Sequence, residues 1–492
     1  MPWPSERSPT STRACICKGR NAGKKHPDAS PHEVDEAMES AWSCFPSFRK
    51  QPGKERARLL RSIARHLEES KDKLVSVADF ETSLGHDRLQ FELKRTISEL
   101  ELFANLAESE KWKEVKEEQP EPNRKPIPKP GMQTVNVPIG PVVVVGACNF
   151  PFAISVVGTD TASALAVGCP VVVKAHPDHA RTCQSLASLV KQALVETEMP
   201  KSAFQLVHGI EHAVTRTLIE HRRTSCVAFT GSLKGGRVLH ELACQRPTPI
   251  PFHAEMGSLN PVVILPHALE QSGTELAKGY IAAVNLFAGQ MCTKPGALLV
   301  TEGPCLDQFI DEIRAAVRKS ERMPMLNRTV FENFEAINRD LESALPLLAS
   351  NRPASPELEN HAYCQVFQVS GNDFMNNREF RTEAFGPTSL LVRCQDKDEL
   401  LGIARSLEGS LTGTIHAHQE DLDVGRKLMP IIESRVGRFL WGGFPPGVTP
   451  GMATHHGGPW PATTDSRHTS IGLFAYRRFV RPVCRQGFPE NI

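Results

Sequence analysis

The sequence predicts an α/β protein whose parallel sheets carry helices on both faces. The chain has 492 residues, too many for one simple core, so two or three domains are expected. Beyond residue 140, short β-branched runs alternate with stretches whose apolar residues recur at helical spacing, the pattern of strand–helix–strand units. Glycines close several of these runs where a helix must begin, as ligand-binding turns in such sheets require.

The first 27 residues carry six Lys or Arg against one acid, Glu6. That bias fits a transit peptide, and equally a disordered tail. Order is expected from Pro31. "PHEVDEAMESAWSCFPSFRK", "KERARLLRSIARHLEESKDKLVSVADFETS" and "HDRLQFELKRTISELELFANLAES" each place apolar residues on one helical face. "KWKEVKEEQPEPNRKPIPKPG" is charged and proline-rich, so it reads as a connector or extended arm.

Alternating units follow. "GPVVVVGACN", "CPVVVKAHP", "AFQLVHG" and "CVAFTG" read as strands, with helices in "ARTCQSLASLVKQALVET", "RTLIEH" and "LKGGRVLHELAC". A second set has strands in "NPVVILP", "GALLVTE", "TSLLVRC" and "LTGTIHA", and helices in "ELAKGYIAAVNLFAG", "CLDQFIDEIRAAVRKS", "KDELLGIARSLEG" and "EDLDVGRKLMPIIES". The boundaries read as a tail over 1–30, one α/β domain over 31–120 and 140–251, a second over 252–440, and bridging segments at 121–139 and 460–492.

A net charge of +1 gives no basic footprint for a nucleic-acid or membrane partner. The 13 scattered cysteines suit a reducing compartment. The Cys15-x-Cys17 pair has no second pair or His cluster beside it, and no metal site is expected. Residues 131–159 lack any charge, yet Pro138, Pro141 and Pro151 break the run; a buried strand, a turn and a buried helix explain it better than a membrane span.

Five short stretches carry chemistry. In "FTGSLKGG", Gly231 and Gly236 bracket a strand-to-helix turn whose free N–H groups suit phosphate. In "PVVVKAHP", Lys174 ends a strand, where ligands of open sheets gather. In "FHAEMGSLNP", Glu255 stands in uncharged surroundings, which favours a raised pKa and a general-base role. In "FAGQMCTKPG", Cys292 needs a base, a cation or a helix N-terminus to become a nucleophile. In "ACNFPF", Asn149 follows a strand and can donate to an oxyanion. Each has a plainer reading: a tight turn, a solvated lysine, an ion-paired Glu, a buried thiol, a turn-capping Asn.

The order of "ACNFPF", "VVVKAHP", "FTGSLKGG", "FHAEMGSLNP", "GQMCTKPG" and "EAFGP" resembles the aldehyde dehydrogenase superfamily over residues 31–488. The resemblance implies a Rossmann-like nucleotide-binding domain, an α/β catalytic domain and a small β oligomerisation arm. It implies that Cys292 attacks an aldehyde, that Asn149 and the cysteine's own N–H hold the oxyanion, and that Glu255 activates water to release the acid from a thioester. It implies cofactor contacts from Lys174, Pro177, Gly231, Ser232, Gly236, Met256, Glu383 and Phe385. Pro177 stands where NAD-preferring members carry a glutamate, so NADP is the expected preference, with NAD possible; Arg181 or His179 could help.

The end of the chain, "GGPWPATTDSRHTSIG" through "RPVCRQGFPENI", is similar to the branch that oxidises 2-oxoglutarate semialdehyde (2,5-dioxopentanoate). A fatty-aldehyde dehydrogenase is the runner-up. Arg95 is the candidate cation for an acid substrate, and Phe150 and Phe444 are candidate channel residues. Gly442 and Gly443 stand where relatives carry Asn-Gly, and Phe91 and Leu93 where the branch has glycine and arginine. A catalytically silent homologue and a thiol hydrolase are the readings from other classes. A homodimer or homotetramer is implied, in the cytoplasm, or in mitochondria or plastids if the tail is a transit peptide.

Overall fold

The structure, a computed structural model, describes residues 26–210, 212–354, 359–445 and 447–488. The basic tail, with Cys15 and Cys17, lies largely outside the described residues.

The first sheet has five parallel strands in the order Phe204–Val207, Val171–Lys174, Val142–Val145, Cys226–Gly231, Phe252–Met256. Its central valine run does not alternate with polar residues because both faces are covered. Val142 and Val144 join the core under the helices Gly53–Glu69, His86–Ser109 and Thr159–Val167, whereas Val143 and Val145 meet Val34, Met38 and Leu218 on the other face.

Two expectations need correction here. The single helix expected over 54–83 is two, Gly53–Glu69 and Lys71–Thr82, parted at Ser70 (φ −102°, ψ 6°). The apolar spacing runs through the break, which hides it in the sequence. The buried helix expected before residue 159 is a series of turns, and the helix begins only at Thr159. The reason is that the N–H groups of Phe152 and Ala153 donate to the Glu92 carboxylate (2.7 and 2.9 Å), and that of Ala147 to Ile154 O (3.1 Å).

The second sheet runs Leu347–Ser350, Gln365–Ser370, Thr388–Cys394, Ala297–Thr301, Pro261–Ile264, Ser410–His416, Val436–Trp441, parallel except for the first strand. Val263 and Leu265 pack on one face and Val262 and Ile264 on the other. The sequence reading lacks the helix Arg328–Ala344 and the strands Leu347–Ser350, Gln365–Ser370 and Val436–Trp441. That helix buries only Phe334 and Asn338, although its sequence is amphipathic, and Val436–Trp441 is an edge strand that buries no residue fully and lacks a strong periodic signal.

The proline-rich arm forms a third, antiparallel sheet from Lys116–Glu118, Met132–Pro138 and Val480–Gln486. The chain between the second sheet and this last strand passes over the end of Phe252–Met256: Met256 N donates to Ala462 O (2.8 Å), and Glu255 and Thr463 form a β-bridge. This route delivers His456 and Ser470 to Glu255. Among the described residues, no helix is long and apolar enough to cross a membrane, and all eleven cysteines are free.

Candidate active site

The Cys292 loop is held in a strained form. After the helix Pro266–Asn285 the chain turns sharply, with Phe287 and Ala288 at φ +53° and +55°, a conformation that non-glycine residues adopt at a cost. Gly289 follows at φ +65°, where an added Cβ would fall 2.2 Å from the Gly386 backbone. That contact packs the loop onto the "EAFGP" stretch. Asn260 ties it to the second sheet. The Asn260 Nδ2 donates to the carbonyls of Cys292 (2.7 Å) and Lys294 (3.0 Å), and its Oδ1 accepts from Thr412 N and Oγ1 (3.1 and 3.0 Å). Asn260 is fully buried and itself at φ +51°.

Around the sulfur, one atom each of Cys292, Glu255 and His456 lie within 4.8 Å of one another. His456 Nε2 is 3.5 Å from Cys292 Sγ and at ion-pair distance, 3.0 Å, from Glu255 Oε1. Ser470 Oγ donates to the other carboxylate oxygen (2.7 Å). Burial holds the Cys292 thiol well above its usual range, Glu255 and Glu383 push it further, and Arg438 opposes them. The raised pKa expected for Glu255 is a correction: burial does raise it, but His456, Ser470 and Cys292 together bring it below the usual value. At neutral pH a protonated thiol therefore faces an ionised carboxylate across the His456 ring.

Asn149 reaches the same loop, since its Nδ2 donates to Gln290 O (3.0 Å). Its own carbonyl accepts from Arg88 (2.6 Å), whose guanidinium lies over the rings of Phe287 (4.2 Å) and Phe150 (5.2 Å). Ala147, Phe150, Ala153, Ile154 and Met291 form the apolar cluster beside it. Arg95 has another place, paired with Glu99 (3.0 Å), so Arg88 is the cation of that helix next to Asn149. Phe444 packs against Tyr280 and His416 (6.1 and 4.9 Å between ring centres), in a different apolar cluster from Phe150.

A second charged pair sits behind the loop. Burial raises Glu383 to about 7 and lowers Lys294 to about 8, each opposing the other's shift. Lys294 Nζ donates to Thr388 O (2.6 Å). Glu383 Oε2 occupies the space a side chain on Gly257 would take, 1.6 Å from the Cβ position. Phe385 is half-buried two residues on.

Along the carboxyl edge of the first sheet, Lys174 ends its strand and is 8% exposed, with a pKa lowered by burial. Pro177 is exposed at the start of a short turn of helix. Gly231 ends the strand Cys226–Gly231, and Ser232 caps the helix Leu233–Gln245 by accepting from Gly235 N (3.2 Å). Met256 is buried, with its sulfur 2.5 Å from the Cβ position of Gly236, so it supports the turn from beneath. A lysine and a free helix N-terminus on one edge suit a dinucleotide's ribose and phosphates.

The parallel-sheet fold, the meeting of Cys292, Glu255 and His456, and Lys174 and a helix N-terminus on one sheet edge together frame the class. The chain belongs to the aldehyde dehydrogenase family, whose sequence profile matches residues 7–428 and whose members oxidise aldehydes with NAD or NADP. It is 38% identical over 464 residues, 94% of this chain and 88% of the relative, to alpha-ketoglutaric semialdehyde dehydrogenase 2 of Azospirillum brasilense. It is 38% identical to the alpha-ketoglutaric semialdehyde dehydrogenase of Acinetobacter baylyi, over 93% of this chain and 87% of that one. Among solved structures it is similar to a glyceraldehyde-3-phosphate dehydrogenase of Methanocaldococcus jannaschii complexed with NADP (TM-score 0.78, 21% identity, 94% of this chain and 95% of that one). At that identity the likeness is one of fold.

His456, Ser470, Asn260, Arg88 and Arg438 are absent from the sequence reading of the site. His456 and Ser470 lie beyond the span the family profile matches. The paired histidines in "ATHHGGP" were the available signal.

Proposed function

We propose that this chain oxidises 2,5-dioxopentanoate to 2-oxoglutarate with NADP or NAD, using Cys292, Asn149, Glu255 and His456. The observation that carries the chemistry is the meeting of Cys292 Sγ with His456 Nε2 (3.5 Å) and of that nitrogen with Glu255 (3.0 Å). The substrate rests on the names of the relatives at 38% identity and on Arg438.

The thiol proton passes to the Glu255–His456 pair as sulfur attacks the aldehyde carbonyl, because burial keeps free thiolate scarce. The Asn149 amide, turning from Gln290 O, and the Cys292 N–H receive the oxyanion. A nicotinamide held at the carboxyl edge of the first sheet would supply the hydride acceptor needed to oxidise the Cys292 adduct to a thioester. Once the pair has released that proton to solvent, the Glu255 carboxylate, which His456 and Ser470 hold ionised, takes a proton from a water that attacks the thioester; the carbon–sulfur bond breaks and the acid leaves. Lys174, Ser232 and the first turn of Leu233–Gln245 would hold the dinucleotide, and Glu383 its second ribose. Pro177 brings no carboxylate against a 2′-phosphate, which supports NADP as the preferred form. In this reading the first sheet is the nucleotide domain, the second the catalytic domain, and the three-stranded arm an oligomer contact of a cytoplasmic dimer or tetramer.

An acid semialdehyde needs a cation near the sulfur. Arg438 donates to the carbonyls of Gly447 (2.7 Å) and Pro445, its Nε has no partner, and among the described residues no carboxylate pairs with it. It lies close enough to Cys292 to lower the thiol's pKa. A fatty-aldehyde enzyme would have no use for such a charge. The test is kcat/KM for 2,5-dioxopentanoate, hexanal and decanal, each with NADP and NAD. The acid semialdehyde should lead; equal values for decanal would overturn the substrate, and no turnover of any aldehyde would overturn the activity.

A further inference from the structure

Outside the catalytic trio, a cysteine, a histidine and an aspartate meet at the nucleotide edge of the first sheet. We infer that Cys148, His176 and Asp178 form a binding site for a thiophilic divalent cation, zinc first, and that its occupation competes with the nucleotide. The second half rests on the nucleotide placement proposed above.

The fold brings the three together. Val142–Val145 and Val171–Lys174 are neighbouring parallel strands in register, Val145 opposite Lys174. Cys148 lies three residues past the end of one and His176 and Asp178 just past the end of the other, so all three stand on the carboxyl edge. One ligand atom of each lies within 4.8 Å of the other two, and His176 Nδ1 is 3.7 Å from Asp178 Oδ2. Tetrahedral zinc with bonds of about 2.0–2.3 Å places its ligands about 3.3–3.6 Å apart, so closure needs rotamer-sized movement only.

The donor set also fits. Thiolate, imidazole and carboxylate are the zinc donors, and three protein ligands leave a fourth position for water. All three side chains are half-buried, which leaves an entry path. The His176 ring stacks on His179 at 5.1 Å, and Asn327, whose Nδ2 has no hydrogen-bond partner among the described residues, lies near Asp178. On binding, the Cys148 S–H bond breaks, a sulfur–metal bond forms and the proton leaves to solvent. Two contacts oppose the site. The Lys174 ammonium is close enough to disfavour a charged His176, and the Asp178 N–H donates to His176 Nδ1 (3.2 Å). Two ligand charges offset the cation, and a single 3.2 Å bond to nitrogen is weaker than a metal–imidazole bond. Because Lys174 shares this edge, a cation here occupies ground the nucleotide needs.

The Cys292 trio could also take a thiophilic metal, so the test removes it. Full-length Cys292→Ser protein is titrated with cobalt(II) as a spectroscopic stand-in for zinc. A thiolate-to-cobalt charge-transfer band is expected, displaced by zinc, lost in Cys148→Ser/Cys292→Ser, weakened in Asp178→Asn/Cys292→Ser, and suppressed by added NADP. A band that survives Cys148→Ser, or no band in the Cys292→Ser parent, overturns the site; if the Cys148 variant does not fold, loss of the band in His176→Gln/Cys292→Ser decides instead. A band indifferent to saturating NADP overturns the competition. No turnover is measured, so failure of the proposed oxidation would show separately.

Discussion

His456 Nε2 stands 3.0 Å from Glu255 Oε1 and 3.5 Å from Cys292 Sγ, so one imidazole spans the gap between nucleophile and carboxylate. Both His456 and the Glu255 side chain are 1% exposed. In that setting His456 keeps Glu255 ionised against a desolvation that pushes the other way. Replacing His456 with Asn therefore raises the Glu255 pKa. The acid limb of the kcat profile should move to higher pH and the maximum rate fall about 10²–10⁴-fold. An unmoved acid limb would show that His456 does not govern the carboxylate.

Asn149 provides a separate check on the oxyanion. Its Nδ2 reaches the Cys292 loop through Gln290 O (3.0 Å). Asn149→Ala should lower kcat by about 10²–10³, roughly 3–4 kcal/mol, with little change in nucleotide KM. A change confined to KM would make Asn149 a turn residue.

Glu383 sets a pH dependence of its own. Its carboxyl titrates at about 7 because burial outweighs Lys294. If the ionised form holds the nucleotide, nucleotide KM rises as pH falls through about 7, and Glu383→Gln flattens that response. Gly257→Ala should raise the KM as well, since its Cβ would displace the carboxylate.

Stability toward acid follows from a buried histidine. His416 is 7% exposed, and burial lowers its pKa to about 4. Between the unperturbed value and about 4 the unfolded chain binds a proton that the folded chain does not, so stability falls as pH falls through that window. The slope is about 1.4 kcal/mol per pH unit for this group. His416→Gln should reduce the dependence of Tm on pH between 6 and 4, measured by calorimetry; an unchanged slope would assign acid lability elsewhere.

Four strands of each sheet were legible because they are short aliphatic, mostly β-branched runs, and a run such as Val142–Val145 admits little else. Val436–Trp441 was not legible, since an edge strand carrying Gly437 and Arg438 lacks that pattern. In the site, Cys292, Glu255 and Asn149 sit in short stretches with recognisable neighbours. His456 does not: it comes to Glu255 across 201 positions of sequence through the route that places Ala462 on Met256, and no local pattern encodes that crossing. Arg95 illustrates the same limit. Arg88 and Arg95 lie on one helix, and only the packing decides that Arg95 pairs with Glu99 while Arg88 reaches Asn149.

The covalent step with Glu255 as the base that clears it is tested most directly by mass spectrometry of Glu255→Gln protein after a brief exposure to 2,5-dioxopentanoate and NADP. The account predicts one equivalent of acyl adduct on the peptide containing Cys292, formed with a burst of NADPH and hydrolysed slowly. Steady turnover at the wild-type rate with no adduct, or an adduct on any other cysteine, would contradict it.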